Sequence, residues 1–142
     1  MVDVSAKRAT ERRAVAEGLI LLTGEALSAV TEQRVRKGDV LQIAQLAGIM
    51  GAKRTSDIVP LCHPIPIDGV DVKLVAVGEG LRIVATVTSH WRTGVEMEAL
   101  CAVSSAALAV YDMVKSIDRG AEIRSVRLLE KSGGRSGDWK RE

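Results

Sequence analysis

Residues 93–116 read TGVEMEALCAVSSAALAVYDMVKS, and this stretch decides the fold. The helix that it predicts carries apolar side chains on nearly all sides, so it must be buried by a sheet and by something else. Thr93 and Glu96 fit a capping box, in which both side chains bond free amides of the first helical turn. We therefore expect a buried helix that begins at residue 94 and ends near Ser116.

The flanking sequence supplies strands and shorter helices. A short helix is expected from Gly24 to Glu32, and a second follows Asp39, whose carboxylate is a good N-cap, and ends near Gly48 to Gly51. Alternating or apolar runs predict strands at residues 14–22, 70–75, 81–88 and 122–129.

The order of these elements predicts an α+β fold of the ferredoxin-like type. Strand, helices, strand, strand, helix and strand form the split βαβ pattern, with helices on one face of an antiparallel sheet. The uncovered sheet face and the apolar main helix both predict a homo-oligomer.

Composition indicates one domain without a nucleic-acid or membrane partner. The chain has 142 residues, 46% apolar and 27% charged, so we expect a single domain over residues 1–142. Residues 1–13 are expected to be mobile, and residues 131–142 form a glycine-rich basic tail. Twenty Lys and Arg against eighteen Asp and Glu, with two Trp, one Tyr and no Phe, disfavour nucleic-acid binding.

The sequence also favours a cytoplasmic location. The two cysteines form no CxxC motif, which fits a reducing compartment. Met1 to Thr10 is too polar for a signal peptide, and the longest uncharged stretch, residues 99–111, is too short to span a membrane.

A proline-rich loop at residues 52–67 is the first candidate for chemistry. Lys53 and Arg54 lie at its start, and His63 lies in a segment stiffened by all three prolines, which suits proton transfer or phosphate contact. A surface loop with a backbone-bonded histidine explains the pattern equally well. Zinc binding by Cys62, His63, His90 and Cys101 is disfavoured, because an adjacent Cys-His pair has poor geometry for one tetrahedral ion.

The main helix carries the second group of candidates. Asp112 and Lys115 are three residues apart and therefore neighbours on one face. Asp112 follows the uncharged stretch, so we expect a buried, perturbed carboxylate rather than an ordinary surface ion pair. Glu98 reads as a solvated acid of the first turn, on roughly the same side as Asp112 and about 21 Å away. Glu96 is assigned to the capping box.

The tail contains a possible anion-binding segment at residues 131–137, KSGGRSG. Its glycines let backbone amides approach an anion, and Lys131 and Arg135 add charge. The segment does not match a P-loop, and a flexible tail explains it equally well.

Several strings, taken together, carry a family resemblance. They are MVDVS (1–5), KGDVL (37–41), AGI (47–49), AKRT (52–55), IVPLCHP (58–64), TGVEMEAL (93–100), YDM (111–113) and KSGG (131–134). In this order they resemble the cyclic pyranopterin monophosphate synthases, the C proteins of molybdenum-cofactor biosynthesis. PLCHP and TGVEMEAL are the most specific of them.

The resemblance implies a ferredoxin-like homohexamer, a trimer of dimers with active sites at the dimer interface. The implied reaction converts a cyclised 7,8-dihydro-GTP into cyclic pyranopterin monophosphate and releases pyrophosphate. Asp112 and Lys115 match the family's catalytic pair. The residues that match its substrate-binding positions are Leu61, Cys62, His63, Met97, Glu98, Lys37, Lys53, Lys131, Arg12, Asp3 and Glu96. No cofactor or protein-bound metal is expected, and Mg²⁺ stays open as a counter-ion of the phosphates.

A non-catalytic nucleotide-binding or regulatory module on the same fold is the main alternative. The set of lysines, acids and a histidine argues against it, because a sensor has no need of a proton-transfer pair. Nucleic-acid binding is a more distant alternative.

Overall fold

A computed structural model shows an α+β fold in which helices cover one face of a five-stranded antiparallel sheet. The elements in chain order are β1 (Thr10–Leu21), α1 (Gly24–Thr31), α2 (Val40–Lys53), α3 (Thr55–Ile58), β2 (Gly69–Val77), β3 (Gly80–Trp91), α4 (Glu96–Val114), β4 (Glu122–Ser132) and β5 (Trp139–Lys140). The strand order is β2-β3-β1-β4-β5. Since β3 lies between β1 and β2, and β1 lies between β3 and β4, both crossovers are split βαβ units. The predicted ferredoxin-like class is confirmed.

Strand β1 forms the centre of the sheet. It pairs with β3 from Thr10 opposite Trp91 to Leu21 opposite Gly80. Alternate residues of β1, among them Ala14, Ala16 and Ile20, are fully buried beneath the helices. The pairing of β1 with β4 contains two register shifts, and Ser125 of β4 adopts a positive φ of 53° at the second, between Arg127 and Arg124.

The sheet face opposite the helices carries an ion-pair network around Glu17. This carboxylate accepts hydrogen bonds from Arg82 of β3 at 2.6 Å and from Arg127 of β4 at 2.7 Å. Desolvation raises the pKa of Glu17, but the bonds from Arg127 and Arg82 outweigh it and hold the pKa below its usual value. The network therefore ties three neighbouring strands together.

Helices α2 and α4 run antiparallel and touch through glycines. A Cβ atom added at Gly51 would lie 2.6 Å from the Ser105 Cβ and 2.8 Å from the Cys101 carbonyl oxygen. One added at Gly48 would lie 3.1 Å from the Ala102 carbonyl oxygen. The two backbones therefore approach more closely than side chains at these positions would allow.

Helix α4 is long and apolar enough to cross a membrane by length and composition. In the fold it is the core helix, and its buried residues include Ala102, Val103, Ala106 and Val110. Its apolar character is explained by packing against the sheet and α2.

Two predicted helix boundaries and one capping assignment need correction. Helix α4 begins at Glu96, not at residue 94, and its N-cap is Val95, whose side chain makes no capping bond. The capping-box assignment of Thr93 and Glu96 is therefore wrong. Helix α2 continues through Gly48 and Gly51 to Lys53, because these glycines serve the close contact with α4 rather than a helix end.

The structure also extends one predicted strand and contains two short elements that the sequence did not predict. Strand β1 begins at Thr10, so residues 10–13 lie in the sheet, and α3 and β5 were not predicted. The N-cap at Asp39 is confirmed, since its side chain accepts from the Gln42 amide at 3.1 Å. Buried Asp118 accepts from the Thr23 amide at 2.8 Å and joins the end of α4 to the start of α1.

The glycine contact generates a test of stability. Gly51→Ala is expected to lower the free energy of unfolding by about 1–3 kcal/mol, because overpacking exceeds the helix-propensity gain. Urea denaturation followed by circular dichroism, at one protein concentration, measures this change. Gly24→Ala is the control, since nothing lies within 4 Å of a Cβ atom there. An unchanged midpoint for Gly51→Ala would contradict the close contact.

Candidate functional site

The first group of site residues lies at the C-terminal end of α4. The Asp112 carboxylate accepts from the Lys37 ammonium at 2.7 Å and forms a second ion pair with the Lys115 ammonium at 2.7 Å. Lys37 also donates to the Asp112 carbonyl at 2.8 Å. We call Lys37, Asp112 and Lys115 the carboxylate–lysine cluster. The turn before α2 brings Lys37 there, so a residue distant in sequence joins the predicted pair.

The carboxylate–lysine cluster is open to solvent in the single chain, which corrects the expectation of a buried Asp112. The side chains of Lys37, Asp112 and Lys115 are 48%, 56% and 51% exposed. Hydrogen bonds from Lys115 and Lys37 lower the pKa of Asp112 to about 2. Asp112 is therefore ionised at neutral pH, and the proton donors of this cluster are the two ammonium groups.

The second group lies at the other end of α4. Glu98 is buried, at 3% exposure, which overturns the expectation of a solvated first-turn acid. Desolvation, with a smaller contribution from the charge of Glu96, raises the pKa of Glu98 to about 7. Glu98 is thus poised to release or take up a proton near neutral pH.

The proline-rich loop lies beside Glu98. Burial raises the pKa of the Cys62 thiol, and the nearby charges of Glu98 and Cys101 raise it further. His63 lies within electrostatic range of Asp3, whose pKa is lowered mainly by a hydrogen bond from the Ser5 amide at 2.8 Å. We call Leu61, Cys62, His63 and Glu98 the loop cluster. The N-terminal segment and the proline-rich loop therefore meet at this end of the fold.

A cavity of about 950 Å³ adjoins this same end. Its charged lining comprises five cations and two acids: Lys7, Arg8, Arg12, Arg92, Arg135, Asp3 and Glu96. We call it the arginine cavity. It contains three of the predicted substrate-binding residues, Arg12, Asp3 and Glu96. Sequence reasoning did not select Lys7, Arg8 and Arg92, although Arg92 directly precedes the TGVEMEAL string.

The glycine-rich tail shapes the wall of the arginine cavity. Arg12 donates towards the carbonyl oxygens of Gly133 and Arg92 at 3.5 and 3.4 Å, and its buried Nε has no hydrogen-bond partner. Gly133 and Gly134 have φ values of +91° and +80°, and a Cβ atom at Gly134 would lie 2.5 Å from the Arg12 Cζ. Only glycines let this loop wrap the guanidinium.

Four further predicted residues lie around these groups. The Lys131 ammonium donates to the Ser136 hydroxyl and the Gly137 carbonyl, both at 2.5 Å, and so holds the tail loop that carries Arg135. Lys53 ends α2 at the end of the fold where α4 begins, and its side chain is exposed. Met97 is 36% exposed in the first turn of α4, and Leu61 is 73% exposed.

The structure therefore gathers the predicted residues into two regions rather than one. Helix α4 has 19 residues and is about 28 Å long. The carboxylate–lysine cluster lies at its C-terminal end, while the loop cluster and the arginine cavity lie at its N-terminal end. Apart from Lys37, which contacts Asp112, the predicted substrate-binding residues on the loop, the N-terminal segment and the first turn of α4 lie far from the predicted catalytic pair in a single chain.

No metal cluster accompanies either region. No three His, Cys, Asp or Glu side chains lie close enough together to hold a metal ion.

Comparisons with known proteins agree on one family. The family model described as "MoaC family" matches residues 1–134. A protein of Cereibacter sphaeroides is 56% identical over 139 residues, which is 96% of this chain and 87% of that protein. A protein of Corynebacterium glutamicum is 51% identical over 139 residues, 98% of this chain and 89% of that protein. Both are named cyclic pyranopterin monophosphate synthase.

A relative from Rhodospirillum rubrum with the same name is 54% identical over 141 residues, which is 98% of this chain and 85% of that protein. Both the family model and these relatives span nearly the whole fold, including both ends of α4. The chain belongs to the MoaC family.

Proposed function

We propose that this protein is a cyclic pyranopterin monophosphate synthase of molybdenum-cofactor biosynthesis. It converts a cyclised 7,8-dihydro-GTP into cyclic pyranopterin monophosphate and releases pyrophosphate. The observation that carries the proposal is the carboxylate–lysine cluster, in which Lys37 and Lys115 both contact Asp112. Similarity over nearly the whole chain to relatives of that name supports it.

Two polar steps make up this reaction, and the residues suit both. Opening one ring and closing another needs proton transfers, for which the ammonium groups of the carboxylate–lysine cluster and the near-neutral pKa of Glu98 are suited. In the phosphate step a sugar hydroxyl attacks the first phosphorus and loses its proton. The bond to the bridging oxygen breaks, and pyrophosphate leaves with the electron pair. Positioning and neutralisation of charge by cations lower this barrier.

We further propose that the working site forms between two copies of the chain. The two groups of residues lie at opposite ends of α4, so one chain cannot bring both to one substrate. The outer surfaces of α2 and α4 expose Ile43, Leu46, Met50 and Leu108 at 45%, 58%, 46% and 61%. A two-fold contact through this surface would set the carboxylate–lysine cluster of one copy against the loop cluster of the other.

The resemblance extends this proposal to a homohexamer built as a trimer of dimers, acting in the cytoplasm. The substrate is a small nucleotide-derived triphosphate. We expect no organic cofactor, and no redox cofactor is needed because neither step transfers electrons. Mg²⁺ stays open as a counter-ion of the triphosphate.

The carboxylate–lysine cluster can be tested by one isosteric change. Asp112→Asn is expected to lower the rate of pyrophosphate release by about 100-fold or more, because both lysines lose their charged partner. The side chain is exposed, so the oligomeric state is expected to persist, which light scattering checks. Asp71→Asn, at an exposed ion pair on β2, is the control and retains full activity. Normal turnover by Asp112→Asn would contradict the assignment.

The shared site predicts complementation between inactive variants. Asp112→Asn and His63→Ala are mixed, dissociated and reassociated, so that half of the dimers contain one chain of each kind. If each site takes Asp112 from one copy and His63 from the other, about a quarter of the wild-type activity returns. Mixing Asp112→Asn with Lys115→Ala is the control and restores nothing. Equal recovery in both mixtures, or in neither, would overturn the shared site.

Glu98 predicts a pH-dependent stability. Its pKa in the folded protein, about 7, lies above the ordinary value of 4.5 for a glutamate, so the folded state binds an extra proton between these two pH values. Stability is expected to fall by roughly 3 kcal/mol as pH rises through this window. Urea titrations at pH 5 and pH 8 measure the fall. In Glu98→Gln the decrease in unfolding free energy that comes from Glu98 is expected to disappear. If the variant loses as much stability between pH 5 and pH 8 as the wild type, the assignment is refuted.

The pyrophosphate-release assay also tests the alternative, a binding module without catalysis. Such a module would bind the triphosphate and release no pyrophosphate.

A further inference from the structure

We propose that Asp118, in the turn after α4, is a positioning residue for the carboxylate–lysine cluster. Its carboxylate holds together the two chain segments that carry Lys37 and Lys115, and so sets where their ammonium groups meet Asp112. The contacts of Asp118 stand by themselves, whereas their consequence for the reaction rate rests on the proposed function.

Asp118 is one of two charged side chains buried in the fold. It is 7% exposed, and Glu98 is the other. Both carboxylate oxygens of Asp118 accept from backbone amides, from Thr23 at 2.8 Å and from Gly120 at 3.0 Å. A buried carboxylate without a cation beside it is costly, and charge-assisted bonds from two amides offset this cost. The position therefore requires an acceptor that reaches two amides at once.

The two amides lie on different segments of the chain. Thr23 is the N-cap of α1 and begins what we call the α1 segment, residues 23–39. Gly120 ends what we call the α4-end segment, residues 111–120, which leads towards β4. Apart from the contacts within the carboxylate–lysine cluster, the bond from the Thr23 amide to Asp118 is the only hydrogen bond between these segments. Asp118 therefore links the two segments independently of the cluster.

The α4-end segment carries Lys115 close to this link. Lys115 is the C-cap of α4, three residues before Asp118, and its amide donates to the Tyr111 carbonyl at 2.9 Å. Because helix ends fray, the position of Lys115 depends on the turn that follows it. The Tyr111 hydroxyl donates to the Arg119 carbonyl at 3.2 Å and holds the same turn. Asp118 and Tyr111 thus fix this turn from two directions.

The α1 segment carries Lys37 at its other end. Helix α1 has eight residues and packs on the core through Ala26, Ala29 and Val30. The Arg34 amide then donates to the Ala29 carbonyl at 2.8 Å and closes the turn that leads to Lys37. A short packed helix moves as one unit, so a displacement at the start of α1 is transmitted to Lys37.

Asp118→Asn tests this role with little change of side-chain volume. The amide group keeps one acceptor oxygen, but its NH₂ group would face a backbone amide, so one of the two bonds is lost. In the pyrophosphate-release assay kcat is expected to fall by about tenfold, because small displacements of reacting groups slow a reaction strongly. KM is expected to stay within about twofold, since the substrate-binding residues are untouched. Asp118→Ser, whose hydroxyl can accept from one amide, is the second variant.

The reactivity of the two lysines reports their positions without catalysis. Each protein is labelled briefly with acetic anhydride, and mass spectrometry measures the rate of acetylation at each lysine. In Asp118→Asn, Lys37 and Lys115 are expected to react about two- to fivefold faster than in the wild type, the range set by loss of an exposed ion pair. Lys73, paired with Asp71 at 3.0 Å on β2, is the internal control and is expected to keep its wild-type rate.

Ile83→Val separates positioning from a general loss of stability. It removes one methyl group from a fully buried side chain of β3, so the urea midpoint is expected to fall. Ile83 lies outside both segments, and kcat and the labelling of Lys37 and Lys115 are therefore expected to stay at their wild-type values. Circular dichroism and light scattering check the fold and the oligomeric state of every variant.

The outcomes distinguish this role from the proposed function. Faster labelling of both lysines together with a lower kcat supports the role of Asp118. Faster labelling where even the wild type shows no synthase activity still supports the link between the segments and counts against the proposed function alone. Wild-type labelling in Asp118→Asn, or faster labelling with an unchanged kcat in an active synthase, overturns the role. So does an equal rise at Lys73 or in Ile83→Val, because the change would then be a general loosening of the fold.

Discussion

The close antiparallel contact between α2 and α4 is the constraint on which the arrangement of the site depends. Gly48 and Gly51 bring the two backbones together, and the sheet holds α4 from below. This contact fixes Lys37, just before α2, beside Asp112 near the end of α4. The same antiparallel geometry sends Lys53 towards the opposite end. The positions of Lys37 and Lys53 therefore follow from how two helices pack, not from a local loop motif.

Three electrostatic environments result from this architecture, and each suits a different task. The carboxylate–lysine cluster is exposed and fully ionised, with the pKa of Asp112 lowered to about 2. Glu98 is desolvated and titrates near pH 7. The arginine cavity collects cations that have no partner within the chain. In the function that we propose, charge placement, proton exchange and anion binding would fall to these separate parts of the fold.

Sequence patterns predicted the fold well and the surroundings of the site residues poorly. Periodicity located β1 to β4 and the three longer helices, and Asp39 capped α2 as expected. The sequence predicted a solvated Glu98 and a buried Asp112, whereas the structure buries Glu98 and exposes Asp112. Helical spacing indicates which side of the helix a residue occupies, but not what covers that side. The capping-box assignment of Thr93 and Glu96 failed because α4 begins at Glu96 and its N-cap is Val95. Arg92 was not selected, since only the tertiary fold brings it to Arg12.

Assembly would change the physics of the carboxylate–lysine cluster. In water, two unit charges 4 Å apart interact by only about 1 kcal/mol, whereas at a partly covered surface the same pair reaches about 4 kcal/mol. Exposed as they are, Lys37, Asp112 and Lys115 have the energetics of an ordinary surface ion pair. A second copy that covers them would exclude water and strengthen their field on a bound substrate. In the shared site that we propose, the separation of the two groups along α4 would have a chemical consequence, because the cluster would become effective only where a partner also delivers the substrate.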